Sequence, residues 1–179
     1  MINIIRNALS EETCNYISLN MDLLLHLLEY PADKVTPNSS GHYAPLFLEC
    51  LSLHLQPLVE KTVSKKLYPT YTYGRIYYKN SSLKRHIDRP AGEYGVSCCI
   101  EKGIDWPIFF EKKNGDIQSY EMNVGDICVY KGMEYPHWRE EYVGDKHTQV
   151  FLMYVDVDGE YSEWKWDKRA GLGHEGVEY

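Results

Sequence analysis

The chain of 179 residues carries a formal net charge of −7, with 44% hydrophobic and 25% charged residues. This length suits one domain, residues 1–179, around a single core. The acidic excess argues against non-specific binding to nucleic acid or to an anionic membrane surface. The densest apolar run, "LLLHLL", is too short to span a bilayer, and no basic region followed by a long apolar stretch opens the chain. We therefore expect a cytoplasmic protein.

Five cysteines are present, an odd number without the spacing of a disulfide framework. Cys98 and Cys99 are adjacent, and neighbours on a strand point to opposite faces of a sheet. We expect reduced thiols in the core.

The first third of the sequence predicts helices. Ser10 has the residue type of a helix N-cap, and Glu11 and Glu12 follow it in the first turn. Apolar residues then recur at helical spacing, at Cys14, Ile17, Met21, Leu24, Leu25 and Leu28. This pattern predicts a helix over residues 11–29. After the turn-rich connector "PADKVTPNSSG", the stretch from "HYAPLF" to "VSKK" predicts a second helical region that Pro57 kinks or interrupts.

From residue 67 onward, short β-branched and aromatic runs alternate with turn signals. Asn114-Gly115, between two such runs, predicts a hairpin. The sequence "NVGD" at 123–126 predicts a second tight turn. The second part of the chain is therefore expected to be a β domain.

This order of elements predicts a mainly β fold with N-terminal helices, a jelly roll or cupin-like barrel that is closed or nearly closed against edge pairing. Such barrels hold ligands in their mouths. We expect three regions, a helical support over 1–66, a β core over 67–158 and a surface tail over 159–179. Trp164 and Trp166 are the tail residues expected to contact the domain.

The stretch "LKRHIDRP", residues 83–90, contains two ligand-capable side chains two positions apart. On an extended segment His86 and Asp88 project to the same side, and Ile87 points to the other. The pair alone is a weak signal, because such patterns arise by chance. A metal site needs a third ligand.

Two histidines are candidates for that third ligand, His137 and His147. The others lie in predicted helices, in the connector or in the tail: His26, His54, His42 and His174. His137, in "YKGMEYPHWRE", lies far enough from Asp88 for intervening strands to bring it back across a barrel. The alternative for His137 is a loop histidine hydrogen-bonded to Glu140 or Glu141.

Two imidazoles and one carboxylate on one face of an ion form the 2-His-1-carboxylate site of non-haem Fe(II) oxygenases. Three protein ligands leave positions open for an organic cosubstrate and dioxygen, whereas a structural zinc site is closed by four. Such binding needs neutral imidazoles, so metal occupancy is expected to fall below the histidine pKa of about 6.5. The pattern predicts this site at His86, Asp88 and His137.

Several segments follow one another across about residues 54–169: "YTYGRIYYKNSSLKRHIDR", "DWPIFF", "VGDICVYKGMEYPHWRE", "GDKHTQVFLMYVDVDG" and "WDKR". In this order they resemble the small 2-oxoglutarate/Fe(II)-dependent dioxygenases of the prolyl-4-hydroxylase-like branch, bacterial and phage-type members in particular. The resemblance implies a double-stranded β-helix with helices on its outside. It also implies that His86, Asp88 and His137 hold Fe(II).

The reaction implied by the resemblance uses 2-oxoglutarate and O2 as cosubstrates. 2-Oxoglutarate is decarboxylated to succinate and CO2, and an unactivated C–H bond is hydroxylated. A small molecule or a protein side chain is the expected substrate, and its identity stays open, because substrate contacts in this fold come mainly from variable loops.

The distal carboxylate of 2-oxoglutarate needs a cation, ideally an arginine fork. In many relatives an arginine or lysine lies about ten residues after the second histidine. Here that position is His147, preceded by Lys146. Either residue is a candidate, although neither is the expected arginine.

Two arginines are further candidates for this anchor. Arg139 lies two residues after His137, on the same wall. Arg75 shares one face of a predicted strand with Tyr73 and Tyr77. We expect Tyr77 to donate its hydroxyl to the cosubstrate, with Arg139 or Arg75 as the anchor. The alternative for each arginine is a solvated surface ion pair.

Three basic residues, Lys84, Arg85 and Arg89, flank the first two ligands. They are candidates for a positive rim that attracts the dianionic cosubstrate.

Two other functions are compatible with the predicted barrel. One is a cupin-like metalloenzyme without 2-oxoglutarate, whose site would recruit more histidines and a glutamate. The other is a non-catalytic jelly-roll binding module, in which the three predicted ligands would be incidental.

Overall fold

Three layers make up the fold in the computed structural model, which describes residues 1–27 and 36–174. The helices are α1 (Glu11–Leu27) and α2 (Leu46–Val63). The strands are β1 (Ile2–Ile5), β2 (Ser39–Tyr43), β3 (Leu67–Tyr78), β4 (Leu83–His86), β5 (Tyr94–Lys102), β6 (Ile108–Glu111), β7 (Ile117–Tyr120), β8 (Ile127–Tyr130), β9 (His137–Arg139) and β10 (Lys146–Asp156). Two 3₁₀ segments are Pro90–Gly92 and Ser162–Lys168.

The strands form two separate antiparallel sheets. The larger has the order β1-β8-β5-β10-β3-β2, and the smaller has the order β4-β9-β6-β7. Their facing sides pack together, since Cys99 and Tyr130 of the larger sheet share one buried cluster with Ile108 and Phe110 of the smaller. The mainly β architecture is confirmed. A closed barrel is not formed by the described residues, because both sheets keep free edges.

The helices cover the other face of the larger sheet. Ser10 caps α1, because the backbone N–H of Thr13 donates to its Oγ at 3.2 Å. The predicted end of this helix at residues 28–29 lies outside the described residues. Cys14, Ile17 and Met21 are buried against the sheet, as the helical spacing predicted.

Pro57 lies inside α2, which continues unbroken from Leu46 to Val63. An interruption at Pro57 was therefore the wrong expectation. Proline removes the hydrogen bond to the carbonyl four residues earlier, that of Leu53. Because Leu53 is on the exposed side of the helix, water can satisfy that carbonyl.

Three short strands were not predicted from the sequence: β1, β2 and β9. β2 falls across the predicted connector and the start of the predicted helix, where Ser39, Ser40 and Gly41 have low β propensity. It pairs with β3, and a side chain at Gly41 would overlap the ring of Tyr73. Tertiary packing therefore determines this strand.

The predicted turns are confirmed. Asn114-Gly115 connects the hairpin of β6 and β7, and Gly115 has a φ of +85°. In the second turn, the N–H of Asp126 donates to the carbonyl of Asn123 at 3.0 Å. Cys98 and Cys99 lie in the two different core clusters, on opposite faces of β5.

The C-terminal segment, defined here as residues 162–169, differs from the expected surface tail. Asp167 and Arg169 are buried. Arg169 pairs with Glu49 of α2, and both side chains are only 1% exposed. Arg169 also donates to the carbonyl of Thr70 at 3.1 Å. Polar contacts therefore hold the segment against β3, and the scarcity of aliphatic residues had concealed this.

Neither α1 nor α2, the helices of the described residues, is long and apolar enough to cross a bilayer.

We predict that Glu49→Gln lowers the free energy of unfolding by about 3 kcal/mol, because it leaves the Arg169 guanidinium buried without its counter-charge. Urea denaturation checks this. Glu163→Gln, which removes a solvent-exposed partner of Lys168, is the control and should change little. Equal effects of the two substitutions would contradict the importance of the buried pair.

Candidate metal centre

The two histidines of the predicted site lie on neighbouring strands of the smaller sheet. His86 ends β4 and His137 begins β9, and the two residues are paired across the strands. Their ring centroids are 4.3 Å apart. Asp88 follows in the loop after β4, where its backbone N–H donates to the carbonyl of Gly132 at 3.0 Å. The structure thus brings together residues that are distant in sequence.

The three side chains converge on one point. Nε2 of His86 and Nε2 of His137 each lie 3.7 Å from Oδ1 of Asp88, and one ligand atom from each residue lies within 4.8 Å of the others. Metal bonds to histidine nitrogen and carboxylate oxygen are about 2.0–2.2 Å long. One ion therefore fits between the three groups.

Both imidazoles are oriented by backbone carbonyls. Nδ1 of His86 is 2.8 Å from the carbonyl oxygen of Lys84, and Nδ1 of His137 is 2.9 Å from that of Tyr135. Each Nδ1–H therefore donates, which leaves the lone pair of Nε2 directed at the site. Burial lowers the pKa of His137, and this favours the neutral, ligating form. The partner of His137 is thus Tyr135, not Glu140 or Glu141.

Two glycines form a cradle around Asp88. A Cβ at Gly132 would overlap Oδ2 of Asp88, and a Cβ at Gly92 would lie 2.9 Å from its Cβ. Oδ2 is buried and has no hydrogen-bond partner among the described residues. An orphaned carboxylate oxygen is costly, and a cation at the site would compensate for it. These glycines carried no chemical signal in the sequence.

A cavity of about 410 Å³ opens beside the three ligands. The larger sheet lines it with aromatic side chains, those of Tyr71, Tyr73, Tyr77, Tyr130 and Phe151. The cavity is large enough for a small organic ligand next to a metal ion.

Arg139 lies on the same side of β9 as His137 and is only 2% exposed. Its Nη1 donates to the carbonyl of Trp106, and its guanidinium carbon lies 4.9 Å from the centre of that indole ring. Nε and Nη2 are buried and have no hydrogen-bond partner in the described part of the chain. Burial lowers the pKa of Arg139. A buried, incompletely paired guanidinium is a strong candidate for binding an anion.

His147 lies close to the same indole ring, with the two centroids 5.3 Å apart. Gln149 donates from Nε2 to Nε2 of His147 at 2.7 Å, and its Oε1 accepts from Ser97 at 3.0 Å. Nδ1 of His147 therefore carries the proton, and it has no partner within residues 1–27 and 36–174. Burial, together with Arg139, lowers the pKa of His147 to about 3. His147 is a neutral donor and not a cation.

The remaining candidates lie in different places. Tyr77 is fully buried, lines the cavity and contacts Trp106, with ring centroids 4.8 Å apart. Arg75 also lines the cavity, and its Nη1 donates to Ser39 at 2.8 Å. Lys146 pairs with Asp22 at 2.7 Å and with Glu101 at 2.9 Å. Lys146, Arg139 and His147 are not among the residues that line the cavity.

Two of the three basic residues around the first ligands, Arg85 and Arg89, form ion pairs. Arg85 pairs with Glu111 at 2.7 Å. Arg89 lines the cavity and pairs with Asp167 at 2.5 Å. Asp167 was missed from the sequence: its segment "WDKR" was part of the resemblance, but no role was assigned to this residue.

No protein-family model and no curated protein matches this chain. Its structure is similar to a prolyl-4-hydroxylase from Pseudomonas putida, with a TM-score of 0.69 and 11% identity over 87% of this chain and 92% of that one. It is also similar to the non-heme alpha ketoglutarate dependent epimerase SnoN from nogalamycin biosynthesis, with a TM-score of 0.72 and 10% identity over 99% and 88% of the two chains.

A third similar structure is HygX from Streptomyces hygroscopicus with nickel, 2-oxoglutarate and hygromycin B bound, with a TM-score of 0.69 and 12% identity over 98% of this chain and 90% of that one. The chain therefore has the fold of 2-oxoglutarate/Fe(II) oxygenases, as the resemblance implied.

The low pKa of His147 predicts acid destabilisation of the metal-free protein. Between pH 6.5 and about 3, the unfolded chain binds a proton at this residue that the folded protein does not bind. The contribution of His147 to the free energy of unfolding is thus fully present above pH 6.5. It is lost as the pH falls, at about 1.4 kcal/mol per pH unit. Urea denaturation between pH 7 and 4 measures the slope. In His147→Gln it should decrease by that amount, and an unchanged slope would contradict the prediction.

We predict that Gly132→Ala weakens Co(II) binding by about tenfold or more, because the new methyl group displaces the Asp88 carboxylate. Isothermal titration measures the affinity. Gly171→Ala, where the nearest atoms belong to the flexible side chain of His174, is the control. Unaltered Co(II) affinity in Gly132→Ala would show that the cradle does not orient the ligand.

Proposed function

We propose that this protein is an Fe(II)- and 2-oxoglutarate-dependent oxygenase. It hydroxylates a small molecule or a protein side chain, and 2-oxoglutarate is decarboxylated to succinate and CO2. The observation that carries the proposal is the convergence of His86, Asp88 and His137 beside an aromatic cavity. The fold that holds them is the one adopted by oxygenases of this type.

The three side chains suit Fe(II). His86, Asp88 and His137 would hold the ion with two imidazoles and a carboxylate, a ligand set that leaves positions for other ligands. Bound Fe(II) would supply the activation of O2 coupled to 2-oxoglutarate decarboxylation. The chain holds the ligands in place, through the carbonyls behind His86 and His137 and the glycines around Asp88.

Arg139 is our choice for the residue that binds the distal carboxylate of 2-oxoglutarate. Its unpaired Nε and Nη2 are two parallel donors of the kind that match a carboxylate. A buried guanidinium without a counter-charge is energetically costly. The carboxylate of the cosubstrate would provide the missing counter-charge. This ion pair would therefore contribute to the free energy of 2-oxoglutarate binding.

His147 and Tyr77 complete this donor group. His147 occupies the position, ten residues after His137, where many relatives have a cation, and its neutral Nδ1–H provides a hydrogen bond but no charge. Tyr77 contributes a phenolic hydroxyl from the cavity wall. β9 thus provides the positive charge, and β10 and β3 provide the neighbouring hydrogen-bond donors.

The other two cations are less suitable. Lys146 is already paired with Asp22 and Glu101, whereas Arg139 has no carboxylate partner among the described residues. Arg75 is hydrogen-bonded to Ser39 and lies against the ring of Tyr73, 4.8 Å from its centre. Arg75 lines the cavity and is therefore placed to contact the substrate.

The reaction that we propose is hydroxylation. The same fold also supports epimerisation, in the epimerase SnoN. Halogenation requires a small residue in place of the carboxylate ligand, and Asp88 is present. The aromatic side chains around the cavity exclude bulk water from the reacting atoms.

A cupin-like site fits less well, because the described residues place three ligands in the cluster and no fourth histidine or glutamate. A binding module without catalysis would not need two imidazoles with their Nε2 atoms aimed at one carboxylate. All five cysteines are free, in keeping with a cytoplasmic location, which we also propose.

Anaerobic titration with Fe(II) and 2-oxoglutarate tests the proposed function. We expect the visible charge-transfer absorption of the chelate in the wild type and none in Asp88→Ala. Asp116→Ala, in the exposed hairpin turn, is the matched control and should keep the band. Wild-type protein that is saturated with iron but shows no band with 2-oxoglutarate would refute the proposal.

Arg139→Met separates cosubstrate binding from stability. We expect an affinity for 2-oxoglutarate at least about 30-fold lower, since truncating one partner of a buried charge pair costs on the order of 2 kcal/mol or more. Fe(II) affinity should be unchanged. The free energy of unfolding without cosubstrate should not fall, because the variant removes an incompletely paired charge.

Isothermal titration and urea denaturation measure these quantities for Arg139→Met. Lys146→Met, which loses a cation outside the cavity, is the control and should bind 2-oxoglutarate like the wild type. If the effects of the two variants are reversed, Lys146 is the anchor.

A further inference from the structure

The loop that carries Asp88 leaves the smaller sheet immediately after His86. The pairing of β4 with β9 ends at His86, and the 3₁₀ turn begins only at Pro90. Between them, Ile87 is 54% exposed and gives the loop little packing. The hydrogen bond of Asp88 to Gly132 and the two glycines beside it hold the ligand itself, and the rest of the loop depends on contacts of the neighbouring residues.

Arg89, next to the ligand, makes one of these contacts, with Asp167. Its Nη1 and Nη2 donate to Oδ1 and Oδ2 of Asp167 at 2.5 and 2.6 Å, a two-pronged ion pair. The guanidinium lies over the ring of Tyr71, 4.1 Å from its centre. Tyr43 donates its hydroxyl to the same carboxylate. Asp167 thus links the ligand loop to the C-terminal segment.

The backbone around Asp167 is strained. Trp166, Asp167 and Lys168 are three consecutive non-glycine residues with φ of +54°, +56° and +61°. Left-handed conformations are unfavourable for such residues and persist only where surrounding contacts impose them. Immediately afterwards, the buried pair of Arg169 with Glu49 holds the chain. This strained turn directs the Asp167 carboxylate towards Arg89.

We infer that Asp167 is a positioning residue of the metal centre. It fixes Arg89, and through Arg89 the loop that presents Asp88 to the metal. The C-terminal segment is then part of the metal site, although it supplies no ligand. This inference rests on the metal site of the proposed function and does not depend on the choice of cosubstrate or substrate.

Co(II) binding to the full chain tests the inference, followed by the visible absorption of the bound ion and by isothermal titration. Asp167→Asn should weaken Co(II) binding about tenfold, the lower end of the effect of residues that orient metal ligands, and should alter the absorption spectrum. Asp167→Glu, which keeps the charge, should restore part of the affinity. Unchanged affinity and spectrum in Asp167→Asn would overturn the inference.

A double-mutant cycle tests the route through Arg89. Arg89→Gln should weaken Co(II) binding as much as Asp167→Asn, and the double variant no more than either one. Independent, multiplicative losses would overturn the inference. Tyr43 still donates to the Asp167 carboxylate in Arg89→Gln. If Asp167→Asn does not fold, Arg89→Gln alone tests the route, and unchanged Co(II) affinity and spectrum in it would overturn the inference.

Asp126→Asn is the matched control. Asp126 is a buried aspartate paired with Arg6 at 2.6 Å, in the turn before β8. Its substitution should reduce stability without changing Co(II) affinity. An equal loss of affinity in Asp126→Asn would show that Asp167 acts only through general stability.

The wild-type measurements separate this inference from the proposed function. Wild-type protein that does not bind Co(II) would overturn both. If the wild type binds Co(II), Asp167→Asn weakens it, and 2-oxoglutarate gives no chelate with Fe(II), the proposed function fails and the positioning role of Asp167 stands.

Discussion

The pairing of His86 with His137 across β4 and β9 is the constraint on which the site depends. A shift of β4 by one residue along β9 would move the imidazole of His86 to the outer face of the smaller sheet and away from His137, because side chains alternate along a strand. Leu83 lies opposite Arg139 further along the same two strands, beyond a register shift between Leu83 and His86. The same pairing therefore positions the metal ligands and the buried guanidinium.

Polar groups on the inner face of the larger sheet complement this arrangement. Ser97, Gln149 and His147 form a hydrogen-bonded chain across β5 and β10, and it ends in a donor without a partner within the described residues. Arg139 approaches the same region from the other sheet, through its contact with Trp106. Both sheets thus direct hydrogen-bond donors to one interior region, Arg139 from the smaller sheet and His147 from the larger.

The three candidate ligands could be selected from the sequence because His86 and Asp88 are close in the chain and His137 has few competitors. The β architecture followed from alternating runs such as β3 and β10. Other features depend on packing, which a single sequence does not display. β2 forms because Tyr73 lies over Gly41, Gly132 matters because Asp88 lies against it, and Asp167 is recognisable only once Arg89 is beside it. The choice between Arg139 and Lys146 likewise required the ion pairs of Lys146 to be seen.

The incompletely paired guanidinium of Arg139 has a consequence for the protein in a cell, if 2-oxoglutarate binds there as proposed. A ligand that binds only the folded state raises stability by mass action, by about 2.7 kcal/mol at a hundred times its dissociation constant. The fraction of folded molecules, and with it their resistance to proteolysis, would then follow the supply of a central metabolite. Starvation for that metabolite would shorten the lifetime of the enzyme as well as slow its turnover.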